Sequence, residues 1–116
     1  RTCSNIDPLT ETLTKYGHHS RFCINILEVK ELFAEMHKFL NLPNEANVRL
    51  LHYVEYCYLC KNFYPEWSQT KTWEWLEDTK EDGQHLATGY KTWNILGYDP
   101  INYWSTILGF RVVVEL

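Results

Sequence analysis

Four prolines, at positions 8, 43, 65 and 100, limit every regular element this chain can form. A proline removes a backbone donor and clashes with the turn before it, so a helix starts at a proline or ends ahead of it. Isolated glycines at 17, 83, 89, 97 and 109 divide the intervals further. The result is a set of short, bounded segments, each to be read from its own apolar spacing.

Asp7-Pro8 is a helix start, with Asp as cap and Pro in the first turn. Leu9, Leu13 and Tyr16 follow on one face, and Gly17 closes the run. A second helix opens at Asn25, where Glu28 completes a capping-box pattern. Val29, Leu32, Phe33, Met36 and Leu40 form its apolar stripe, and Pro43 ends it. Over residues 44–62 and on to Tyr64, Leu50, Val54, Cys57 and Tyr64 fall near one face, with Tyr53 and Cys60 beside them. That spacing predicts a third helix, folded back on the second as a hairpin.

A fourth helix is expected from Ser68 or Thr70 through Trp73 and Leu76 to Asp82-Gly83. A fifth carries Leu86, Tyr90 and Trp93, and Gly97 closes it. A short sixth follows Asp99-Pro100 through Ile101, Trp104 and Leu108. From Phe110 the character changes, because the three valines at 112–114 favour a strand. Residues 21–26 are the available partner for it. The sequence therefore reads as mainly α: a bundle of five or six helices over residues 1–116, in one domain, with a minor two-stranded element at the C-terminus. A chain of 116 residues, 45% apolar and 16% aromatic, has enough material for a core without metal or disulfide.

Charge narrows the function classes. The formal net charge is −4, and the eleven Lys and Arg are scattered rather than gathered into the stripe that nucleic acid requires. The denser cluster is acidic: Glu66, Glu74, Glu77, Asp78, Glu81 and Asp82. It reads as a solvated helix face or as a docking face for a basic partner. No apolar run is long enough to span a bilayer. The chain opens on Arg1, which reads as a processed or excised piece of a larger protein. Four cysteines without disulfide-scaffold density, and no Asn-x-Ser/Thr sequon, point to an intracellular setting. The Trp, Tyr, His and Cys usage is compatible with a eukaryotic or virus-encoded protein.

Three constellations carry candidate chemistry. Cys57-Tyr58-Leu59-Cys60 has the spacing of half a zinc site, with His52 five residues upstream and Cys3, His18, His19, Cys23 and His37 as further donors. A second Cys-x-x-Cys and a Gly-rich knuckle are missing, so two core thiols are the simpler reading. Cys23 or Cys57 with a histidine would suit a small cysteine-dependent hydrolase, but no family signature surrounds either. No phosphate-binding loop or nucleophile elbow occurs, and the chain reads as a non-enzyme with no cofactor.

The third constellation is the tryptophans, all at or after position 67. On a helix, Trp73 and Trp75 would point about 200° apart, so one of them would stay out of the core. Exposed Trp beside acidic residues suits a protein interface; core filler is the competing reading. The expectation is a protein-interaction module that binds another protein through Trp67, Trp73, Trp75, Glu74, Glu77 and Asp78.

Overall fold

In the computed structural model, residues 22–89, 96–105 and 107–116 are described. They form two α-helices, one 3-10 helix and six short strands in two sheets, not a bundle of five or six helices. Helix α1 spans Ile26–Phe39. Strand β1 (Asn47–Arg49) and helix α2 (Tyr53–Asn62) follow, then a 3-10 turn at Pro65–Ser68. The remaining strands are β2 (Trp73–Thr79), β3 (His85–Thr88), β4 (Leu96–Asp99), β5 (Leu108–Gly109) and β6 (Val113–Glu115). One sheet has the order β4-β3-β2-β5, with β5 parallel to β2 and the other neighbours antiparallel; the second is the antiparallel pair β1-β6.

The second expected helix forms, but it ends at Phe39, and Leu40, expected on its apolar stripe, is the C-cap and 39% exposed. Asn25 accepts from the Glu28 amide (2.9 Å), and the Glu28 carboxylate accepts from the Asn25 amide (3.1 Å), closing the capping box. Ile26, Val29, Leu32, Phe33 and Met36 are its buried stripe. The first expected helix, at residues 7–17, lies outside the described residues.

The third expected helix is two elements. Its first part is β1, and helix α2 begins only at Tyr53. The face that α2 buries is also rotated from the expected one. Tyr56 and Cys60, four apart, are buried, and Val54 is 73% exposed.

The fourth expected helix is replaced by strand β2 and the described start of the fifth by strand β3; Tyr90 and Trp93 lie outside the described residues. Glu74, Trp75 and Leu76 are all buried in succession, which no single-faced helix allows and a strand covered on both sides does. Period-two alternation sends Trp75, with Trp73 beside it, into the core of α1, together with Ala87, Leu108 and Phe110. Leu76 goes the other way, to Tyr56, Cys60, Leu51 and Leu86 beneath α2. Strand β2 thus separates two cores. Trp73 and Trp75 share a face, and the inference that one must be surplus does not apply.

Asp82-Gly83 is a hairpin turn between β2 and β3 rather than a helix end. Gly83 takes φ +85°, Lys80 and Gln84 close the loop, and the Asp82 carboxylate accepts from the Gln84 amide. An Asp-Gly pair supplies this positive φ cheaply. The β2-β3 register shifts between Trp75 and Thr79. The Leu76 carbonyl in that irregularity lies 2.9 Å from His85 Nδ1, which gives the buried imidazole a main-chain partner.

In place of the sixth helix, residues 101–102 form a turn after β4, and β5 takes up Leu108. The C-terminal strand exists, but its ladder partner is β1: Asn47, Val48 and Arg49 oppose Glu115, Val114 and Val113. In the expected partner segment, Phe22 bridges instead to Gly109 of β5, upstream of that strand.

Two substitutions separate this arrangement from the helical one. Trp75→Ala should cost roughly 3–5 kcal/mol in denaturant unfolding, as an aromatic removed from a packed core. Val54→Ala should stay within about 0.5 kcal/mol of the parent.

Candidate functional site

The acidic residues of β2 have intramolecular work. The Asp78 carboxylate accepts from the Tyr53 amide (2.7 Å) at the start of α2, where negative charge also suits the helix dipole. His52 Nδ1 lies 3.6 Å from the same oxygen. The Glu77 carboxylate accepts from the Leu50 amide (3.2 Å), and the Glu77 amide donates to the Leu51 carbonyl (2.8 Å). Glu74, 2% exposed, faces Arg111 Nε at 2.8 Å.

Of the expected partner-binding set, then, Trp75 and Glu74 are core residues. Trp75 is 1% exposed, and its indole N–H donates to the Ile24 carbonyl (3.0 Å). Trp73, Glu77 and Asp78 are half-buried on β2, and Trp67 is half-buried on the 3-10 turn. The six do not form one continuous surface.

Trp67 does belong to a surface, built by the end of α2 and the 3-10 turn. Helix α2 stops at Asn62, and Pro65 opens the 3-10 turn. The short passage between them lays Phe63 and Tyr64 outward. Tyr64 stacks on Trp67 with centroids 4.4 Å apart and planes 9° from parallel. Phe63 touches Tyr64 at 6.4 Å and Tyr58 at 6.0 Å. Four rings therefore run in unbroken contact, and Tyr58, Phe63 and Tyr64 are 58%, 60% and 42% exposed.

The ridge is anchored from below. The Arg111 guanidinium lies 4.0 Å over the Trp67 ring while its Nε pairs with Glu74. Tyr56, buried beneath α2, lies 6.1 Å from Trp67 and donates its hydroxyl to the Trp67 carbonyl (3.3 Å). Burial first, and then the Glu74 charge, hold that phenol well above its ordinary value, so it serves as a donor. Gly89, at φ +106°, passes so close that a β-carbon there would sit 2.6 Å from the Tyr56 hydroxyl.

A second charged cluster fixes the other side of α2. Arg49 places its two Nη groups on both oxygens of Glu55 (2.7 and 2.8 Å) and its Nε on Glu115, joining β1, α2 and β6. The hydrogen bond to Arg49 is the main reason that the Glu55 carboxyl is pulled down to about 2.

The cysteine motif sits on α2. Cys60 is 2% exposed and part of the core; Cys57 is half-buried beside Tyr53, whose phenol is pushed up to about 12, first by burial and then by the Cys57 thiol. His52, which precedes α2, contacts Asp78. Cys23, Cys57 and Cys60 are not joined in disulfides, and among the described residues no three His, Cys, Asp or Glu side chains come together as a metal site would require. Cys23 is buried, with φ +60°. Cys3, His18 and His19 lie outside the described residues. Among those described, no helix is long and apolar enough to cross a membrane.

Sequence spacing had not singled out Tyr58 or Phe63, and it had assigned Tyr64 to the buried face of the third expected helix, whereas Tyr64 is 42% exposed. The available signal was the competition between two stripes on α2. Choosing Tyr56 and Cys60 as the inner pair puts Val54 and Tyr58 outside. The chain matches no model of a known protein family, no curated protein and no solved structure.

Removing Arg111 tests the anchor. Arg111→Met leaves a buried carboxylate without its countercharge and should cost about 3–5 kcal/mol. Adding Glu74→Leu should recover most of that loss in the same denaturation assay.

The Glu55 carboxyl titrates lower in the folded chain than its ordinary 4.5, so its stabilising contribution is complete above that value and is lost as pH falls toward 2. Glu55→Gln should flatten this part of a stability-against-pH curve, by about 1 kcal/mol for so accessible a pair.

Proposed function

We propose that this chain is a protein-interaction module that docks its partner on the aromatic ridge of Tyr58, Phe63 and Tyr64, backed by Trp67. The observation that carries the reading is the run of four touching rings, three of them open to solvent, at the end of a helix. Tyr and Trp concentrate binding energy at protein interfaces, because they offer a large rigid area with a polar tip. The stack on Trp67 and the Arg111 contact hold part of the ridge in place before any partner arrives, which lowers the ordering cost of association.

This reading narrows the aromatic and acidic surface expected from sequence. Glu74, Glu77 and Asp78 already serve charges or amides of the chain itself. The recognition is aromatic, and the partner is another protein rather than nucleic acid.

The test is capture from a native lysate followed by mass spectrometry, run with the parent chain and with Tyr58→Ser/Phe63→Ser. Both positions are exposed, so the unfolding midpoint should hold. Proteins retained by the parent should fall at least tenfold on the double variant, the effect of losing interface anchors. Tyr103→Ser, on the separate exposed loop after β4, should leave capture unchanged. Equal retention by the double variant and the parent would remove the basis of the reading.

A further inference from the structure

The two cysteines of α2 differ in what surrounds them. Cys60 packs with Leu51, Leu76 and Leu86 in the core beneath the helix. Cys57 is half-buried, with the exposed side chains of Val54 and Tyr58 close by on the same helix. Each thiol lies against the phenol four residues before it, Cys57 against Tyr53 and Cys60 against Tyr56. Both sulfurs therefore lean toward the start of α2, side by side across one turn. Residues three apart on a helix have Cα atoms about 5 Å apart, inside the range that a disulfide spans. Their Cβ atoms are roughly 5–6 Å apart, whereas a disulfide holds them at about 3.5–4.5 Å. A bond between these two sulfurs forms only if the turn tightens by about 1 Å or more, and a bond made under such strain is readily reduced again.

The turn that must tighten also holds the ridge. Tyr58 and Leu59 lie between the two cysteines. The Leu59 carbonyl accepts from the amides of both Phe63 (2.9 Å) and Tyr64 (2.8 Å). The Tyr58 carbonyl accepts from the Asn62 side chain (2.8 Å). These bonds end α2 and turn Phe63 and Tyr64 outward. Any shift of Leu59 is passed to both rings, and Tyr58 itself sits inside the tightened turn.

We infer that Cys57 and Cys60 form a thiol–disulfide switch that sets the shape of the aromatic ridge. The oxidant is a low-molecular-weight disulfide. The Cys57 thiolate attacks one of its sulfurs, which gives a mixed disulfide and releases one small thiol. The Cys60 thiolate then attacks Cys57 Sγ, closing the Cys57–Cys60 bond and releasing the second small thiol. Two protein thiols are oxidised, one small disulfide is reduced, and the two protons given up by the cysteines end on the released thiols. Burial sets the order of attack, because Cys57 is within reach of a small disulfide and Cys60, 2% exposed, is not. The thiol chemistry stands apart from the function proposed for the ridge; its regulatory consequence rests on that function.

The chain is equilibrated in glutathione buffers of graded redox ratio, its remaining thiols are blocked with N-ethylmaleimide, and tryptic peptide 50–61, which holds both cysteines, is weighed. In oxidising buffer that peptide should lose two hydrogens and keep no glutathione. Cys60→Ala should trap Cys57 as a mixed disulfide with glutathione, and Cys57→Ser should leave the Cys60 thiol unmodified. The NMR resonances of the Phe63 and Tyr64 rings should shift between the reduced and oxidised parent, while those of Trp75, in the other core, hold. The same oxidant should leave all of them in place in Cys57→Ser. Capture from lysate freed of small thiols should fall about fivefold or more when the parent is oxidised, and not when Cys57→Ser is. Two thiols that persist in oxidising buffer would overturn the inference. So would a Cys57–Cys60 disulfide that leaves Phe63 and Tyr64 unmoved, or measurable capture that is equal for the reduced and oxidised parent. A reduced chain that captures nothing would count against the ridge as a docking surface, and the peptide mass and the ring resonances then decide the switch on their own.

Discussion

Burial of β2 on both faces is the constraint on which the rest of this structure depends. Three consecutive residues, Glu74, Trp75 and Leu76, are almost fully enclosed. A strand can achieve that only if something packs above and below it, and α1 and α2 do so from opposite sides. The apolar pair Trp75 and Leu76 is easily satisfied. Glu74 is not, because a buried carboxylate demands a countercharge. Arg111 meets that demand, which draws the segment after β5 across the sheet and brings its guanidinium onto Trp67. One buried charge thereby positions the base of the exposed ridge.

The sequence made some of this legible and hid the rest for physical reasons. Helix α1 was readable because its cap, its stripe and its stop at Pro43 agree. The β character of residues 113–115 was readable from branched side chains. Their ladder partner was not, since strand pairing is a long-range choice that local spacing does not encode. Residues 73–79 misled because their acids resemble the solvated side of a helix. In the fold those acids cap α2, hold the Leu50 amide and neutralise Arg111. The Trp-x-Trp alternation and the Asp-Gly pair were the strand and hairpin signals, and both point to period two once the charges are set aside.

The candidate site followed the same pattern. Trp67 was among the residues singled out, and it does underlie the ridge. Tyr58 and Phe63 were not, and Tyr64 was read as core, because assigning Val54 to the core face of α2 turned that helix the wrong way. Val54 and Tyr56 point about 200° apart on the helix, so choosing one for the core in place of the other exchanges inside for outside. The residues that decided the matter, Tyr56 and Cys60, look no more apolar in sequence than their neighbours. Their burial is fixed by the floor that Leu76 and Leu86 provide, which is a property of the sheet.

Relocating the acids changes what kind of recognition the surface can support. An aromatic-acidic face would draw a basic partner by long-range attraction, and its association rate would depend strongly on salt. With Glu74 enclosed and Glu77 and Asp78 engaged by backbone amides, the ridge has little field of its own beyond Glu66 and Lys61 nearby. Affinity must then come from ring area removed from water and from the rigidity with which Trp67 is held. An interface of the kind proposed would select its partner by shape and by apolar contact, with its strength in slow dissociation rather than in steered encounter.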